Sequence, residues 1–102
     1  MRVVHDKIDG PVLVTDELTL HGMITGETTV SAGGTLALHG MCCRDLIVEP
    51  GGKAHLHGMV SGDVYNRGGT LSIFGMISGA LTREGGETTI APAAVVVGGI
   101  KR

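Results

Sequence analysis

Leu20-His21-Gly22-Met23-Ile24 returns as Leu38-His39-Gly40-Met41-Cys42, as Leu56-His57-Gly58-Met59-Val60 and, with Phe in place of His, as Ile73-Phe74-Gly75-Met76-Ile77. The steps between these segments are 18, 18 and 17 residues. A second marker keeps the same beat. Gly33-Gly34, Gly51-Gly52, Gly68-Gly69 and Gly85-Gly86 follow one another at 18, 17 and 17 residues. Two independent markers that shorten by one residue together define a tandem repeat, and a fixed period of this size is the signature of a stacked-repeat architecture.

Each repeat opens aliphatic-x-aliphatic (Leu18/Leu20, Leu36/Leu38, Ala54/Leu56, Leu71/Ile73). A Gly breaks the run, and Ile24, Cys42, Val60 or Ile77 begins a second short apolar segment. A third segment carries Thr28/Val30, Leu46/Val48, Val64 or Leu81 before the double Gly closes the unit. Alternation of period two predicts strands, and no stretch offers a 3.6-residue period over a helical length. Three such short strands bury an apolar edge only when the next repeat stacks on them. The expected fold is therefore all-β: a single-domain parallel β-helix of about five to six coils. Residues 1–17 form an irregular first coil, 18–87 four regular repeats and 88–102 a terminal coil. Leu20, Leu38, Leu56, Ile73 and Ile90 are expected to stack as one core ladder. Gly22, Gly40, Gly58 and Gly75 should stack as another, at a corner that either excludes a side chain or needs a positive φ.

Composition narrows the function classes. The chain has 102 residues, 18 of them Gly, with one Tyr, one Phe and no Trp, so stacked aliphatics must supply the core. A net charge of −2 gives no electrostatic footprint for nucleic acid. No apolar run is long enough to span a bilayer, and no transmembrane segment is expected. The two cysteines are adjacent and form no disulfide framework. Free thiols without an export signal lead to the expectation of a cytoplasmic protein.

Four groups of residues are candidates for chemistry or binding. The column His21, His39, His57 is the place a metal would be sought, with Met23, Met41, Met59 and Cys43 as soft donors nearby. These ligands form a line rather than a tetrahedral cluster, and Phe74 interrupts it, so no metal and no cofactor is assigned. Met23, Met41, Met59 and Met76 should point outward as an adaptable apolar stripe, a lateral interaction face. Cys42 replaces a core aliphatic, whereas Cys43 should face out. Glu27, Asp45 and Asp63 line up at the turns, where a cation or Arg44 would relieve their repulsion. Asn66 stands where Val48 stood, beside the shortened repeat, and is expected to satisfy backbone groups at that bend. No nucleophile, base and acid recur or converge, so no catalytic residue is assigned and the chain is not expected to be an enzyme. Ala94, Val95, Val96 and Val97 form an apolar final coil without a capping helix, and an open solenoid end is a template for another chain.

Leu20-His21-Gly22-Met23-Ile24-Thr25-Gly26-Glu27 and Leu56-His57-Gly58-Met59-Val60-Ser61-Gly62-Asp63 share the pattern aliphatic-x-Gly-x-aliphatic-x-Gly-acid. With its 17–18-residue period, the chain resembles the bactofilin family of polymer-forming bacterial cytoskeletal proteins over about residues 4–97. That resemblance implies a right-handed β-helix that assembles end to end into nucleotide-independent filaments. Aliphatic residues every six positions (Leu18, Ile24, Val30, Leu36, Cys42, Val48, Ala54, Val60) are also similar to hexapeptide-repeat acyltransferases, which are left-handed; the 17-residue repeats break that phase, and no inserted loop with a catalytic His is present. The expected function is a non-catalytic structural solenoid that self-associates as a homo-oligomer or filament through Ala94–Val97. The alternative is a discrete protein-binding module, such as an immunity protein or scaffold, using the Met/His face against one protein partner.

Overall fold

The computed structural model describes residues 2–5, 7–9 and 11–101. Short strands follow one another around a three-sided coil. The first coil contains β1 (Arg2–Val4), β2 (Lys7–Ile8) and β3 (Val12–Val14), and the second β4 (Glu17–Leu20), β5 (Met23–Ile24) and β6 (Thr28–Val30). The third has β7 (Thr35–Leu38), β8 (Met41–Cys42) and β9 (Leu46–Val48), and the fourth opens with β10 (Lys53–Leu56) and β11 (Met59–Val60). Then come β12 (Val64–Ile73), β13 (Met76–Ile77), β14 (Leu81–Ile90), β15 (Val95–Val96) and β16 (Ile100–Lys101). Every pairing is parallel and joins equivalent residues of successive coils, giving the β-solenoid that the repeat predicts.

The register builds the core directly. Val4, Leu20, Leu38, Leu56, Ile73 and Ile90 stack on the first face. Ile8, Ile24, Cys42, Val60, Ile77 and Val96 stack on the second, the short-strand face. Val12, Thr28, Leu46, Val64, Leu81 and Ile100 stack on the third. The middle members of each column are fully buried, while Val4, Ile8, Val12, Ile90 and Val96 at the two ends are only partly so. Each fully buried leucine contributes about 2 kcal/mol, and the chain recovers this without a single buried aromatic ring.

Two kinds of glycine make the coil closable. At the corner inside the repeated segment, a Cβ on Gly40 would strike the Gly22 carbonyl, and one on Gly58 or Gly75 the carbonyl of the glycine beneath it. Backbone crowding, not a positive φ, therefore selects this column. Positive φ belongs instead to the double-glycine corners, at Gly33, Gly51, Gly68, Gly86 and Gly99.

The double glycines were expected to end a strand each time, and at the two shortened repeats they do not. β12 and β14 run ten residues each, straight through Gly68-Gly69 and Gly85-Gly86, with register shifts beside Arg67. In the longer coils a turn closes the corner, with Gly34 N–H donating to the Ser31 carbonyl and Gly52 N–H to the Glu49 carbonyl, both at 2.9 Å. One residue fewer removes that turn. At the first shortened corner Asn66 substitutes for the missing carbonyl: its Oδ1 accepts from Gly69 N–H at 2.9 Å and Gly68 N–H at 3.2 Å. Its Nδ2 donates to the Glu87 carbonyl and Thr88 Oγ1, both at 3.0 Å, tying the corner to the next coil. Asn66 is completely buried and occupies the column of Val30 and Val48.

Restoring the aliphatic, Asn66→Val, is expected to cost about 3 kcal/mol, because buried donors and an acceptor lose their partners, and to lower the melting temperature by about 15 °C. Asn66→Asp keeps the acceptor but turns an oxygen toward the Glu87 carbonyl. Its loss should shrink below the carboxylate range, where a protonated acid can donate again. Thermal melts of the three proteins at pH 7 and pH 3 check both expectations.

Candidate functional site

The short-strand face and its corner present three outward ladders. Side chains alternate sides along a strand, so with Ile24 and its equivalents inside, Met23 and Thr25 stand outside, and His21 lies beyond the corner glycine.

The outermost ladder consists of rings. His5, His21, His39, His57 and Phe74 stack with centroids 4.9, 4.9, 4.8 and 4.7 Å apart and planes within 11° of one another. The spacing is that of the strands themselves, and hydrogen bonds hold it on both sides of the corner. His39 N–H donates to the Leu20 carbonyl at 2.8 Å and Met41 N–H to the Gly22 carbonyl at 3.0 Å; His57 and Met59 repeat the pattern one coil on. All four imidazoles are exposed, and Phe74 is 46% exposed. His5 was not among the candidate residues, although Val4-His5 repeats the aliphatic-His pair of Leu20-His21 one coil earlier.

The second ladder is Met23, Met41, Met59 and Met76, in register by strand pairing and continued by Val95. Met23 and Met76 are 37% and 38% exposed, and the two between them are half-buried. The stripe thus faces outward and is apolar. The third ladder includes Thr25, Cys43, Ser61 and Ser78, whose N–H groups donate to the carbonyls of Ile8, Ile24, Cys42 and Val60.

Cys42 and Cys43 divide as their alternation requires: Cys42 is buried and Cys43 half-buried on the outer side. Burial pushes the Cys42 thiol above its ordinary value of 9.0, against the opposing pull of its contacts with Thr28 and the Arg44 carbonyl. Its Sγ donates to the Arg44 carbonyl at 3.3 Å and lies 3.6 Å from Thr28 Oγ1, which gives the buried threonine its partner.

Two of the three turn acids, Asp45 and Asp63, bind backbone. Asp45 Oδ1 accepts from Asp63 N–H at 2.9 Å, and Asp63 Oδ1 accepts from Ala80 N–H at 2.8 Å, so each carboxylate clasps the coil above it. Gly62 and Gly79 leave the space, since a Cβ at either would collide with the carboxylate. Tyr65 OH donates to Asp63 Oδ2 at 3.3 Å, and the Asp63 charge pushes the phenol above its ordinary value of 10.0.

The terminal apolar run separates into two pairs. Ala94 and Val96 turn inward onto the core, whereas Val95 (49% exposed) and Val97 (64% exposed) extend the outer ladders. Beside this end an open depression of about 290 Å³ is lined by Arg83, Glu84, Gly85, Gly86 and Thr88. Among the described residues, no set of three or more His, Cys, Asp or Glu side chains converges on a point where a metal ion would sit. No described helix is long and apolar enough to cross a membrane. No protein-family model, curated protein or solved structure matches the chain.

A thiol reagent applied to the native protein is expected to modify Cys43 alone, with Cys42 reacting only on unfolding. Because the fold favours the neutral Cys42 thiol, its contribution is whole below pH 9.0 and is lost as pH rises through the higher folded value. Cys42→Val, which repeats Val60 in the same column, should therefore flatten the alkaline fall in melting temperature above pH 9, whatever it costs at neutral pH by leaving the Thr28 hydroxyl unpartnered.

Proposed function

We propose that this chain is a non-catalytic structural solenoid whose copies stack end to end into a polymer, as the bactofilin resemblance implies. The observation that carries this reading is the state of the two ends. Among the described residues, β1, β2 and β3 of the first coil pair only with β4, β5 and β6, leaving one backbone edge of each open. At the last coil, again among the described residues, β15 pairs only with β13 and β16 only with β14. Unpaired parallel edges accept a further strand, and the apolar columns that stop at these edges correspond. Continuing the register sets Val4 of a second copy on Ile90, Ile8 on Val96 and Val12 on Ile100. Pro92 falls in the corner turn closed by Ala94 N–H on the Ala91 carbonyl, so it removes no donor from a strand edge. Such a contact is heterologous and does not close, so it generates a filament.

A second reading rests on the Met23–Met76 stripe, an exposed apolar band continued by Val95 on the side of the solenoid. A lateral contact through it suits a discrete protein-binding module or a closed dimer.

Sedimentation over a hundredfold range of protein concentration separates these readings. The stacked polymer gives a mass that rises with concentration. Val96→Glu or Ile8→Glu alone should hold the protein monomeric, because each places a carboxylate in one end contact. An equimolar mixture of the two should form dimers and nothing larger, since each variant keeps one sound end. Met59→Glu should leave assembly unchanged. A fixed mass for the unmodified protein, or assembly abolished by Met59→Glu and untouched by Val96→Glu, contradicts end-to-end stacking.

A further inference from the structure

We propose that the imidazole ladder is a metal-binding array in which two histidines of adjacent coils chelate one borderline transition ion (zinc, nickel or cupric copper). The linear arrangement excludes a closed four-ligand site, and the described residues contain none. It does not exclude chelation by pairs. His5, His21, His39 and His57 stand in one exposed column with neighbouring rings 4.8–4.9 Å apart and nearly parallel.

Each neutral imidazole offers one ring-nitrogen lone pair, and imidazole suits zinc, copper and nickel rather than hard ions such as magnesium. With metal–nitrogen bonds of about 2.0–2.1 Å, two donors on one ion lie about 3 Å apart. Rings already facing one another need only tip together at their outer edges to reach that separation, and their exposure leaves room to do so. The chain entropy of bringing two ligands together is met beforehand by backbone pairing, in which the N–H groups of His21, His39 and His57 donate to the carbonyls of Val4, Leu20 and Leu38, each beside the histidine of the coil beneath. Water completes the coordination, because the column is open to solvent. Phe74, with no donor atom, ends the array.

Four ligands in a row divide into two non-overlapping pairs, His5–His21 and His39–His57. The proposal is independent of end-to-end stacking, since every pair lies within one chain.

Titration of chelator-stripped protein with zinc chloride at neutral pH, followed by calorimetry and native mass spectrometry, tests it. The unmodified chain should take up about two ions. His39→Gln should take up about one, through His5–His21. The double variant His21→Gln/His39→Gln, which leaves His5 and His57 three coils apart, should take up none. Cys43→Ser should bind as the unmodified chain does, and acidification to pH 5 should release the metal as protons claim the same nitrogens. Circular dichroism of the variants confirms that these exposed substitutions leave the fold intact. Absence of binding at millimolar zinc overturns the proposal. So does binding that survives the double variant, or that Cys43→Ser abolishes.

Discussion

The in-register parallel pairing of each coil with the next is the constraint on which everything else depends. It meets the backbone hydrogen-bonding groups of one coil with those of its neighbour and sets equivalent residues one strand spacing apart. Side chains then have no choice of company. A leucine meets the leucine of the next repeat, a ring meets a ring, and a glycine carbonyl lies where the next glycine's Cβ would be. Core, surface ladders and corners are consequences of a single register, repeated.

The same constraint explains where polar groups enter the interior. When a repeat loses one residue the corner loses its turn, and at Gly68-Gly69 the strand continues with its glycine N–H groups bonded to a side chain instead. Asn66 supplies it from inside the core and spends its amide donor on the following coil. Asp45 and Asp63 solve the related problem at another corner from outside, each accepting an N–H of the coil above. Every buried side-chain polar atom among the described residues is thereby partnered.

Most of this was legible in the sequence because a solenoid writes its geometry into a period. The three-strand coil, the inward columns, the outward Met stripe and the opposed faces of Cys42 and Cys43 all follow from spacing and alternation. The bend role of Asn66 could be read from a polar residue in an aliphatic column beside a missing residue. Other features could not. Whether a strand breaks at Gly68-Gly69 depends on whether the corner has length for a turn, which is a property of the closed coil rather than of the dipeptide. The carboxylates looked like stacked charges because their acceptors' partners are backbone groups that carry no letter in the sequence. Ala94–Val97 read as one apolar block, and only the closed coil shows that alternate members leave the core.

Among the described residues, the same register leaves the two terminal coils with unmet edges and matching columns, and the proposed end-to-end stacking would continue it through a second copy without any new kind of contact. The most direct measurement is the axial repeat of the assembled protein by electron cryomicroscopy. Six rungs per chain at about 4.8 Å predict one subunit every ~29 Å along an unbroken cross-β axis. A closed dimer, or an assembly whose strands do not run perpendicular to its axis at that repeat, would contradict the account.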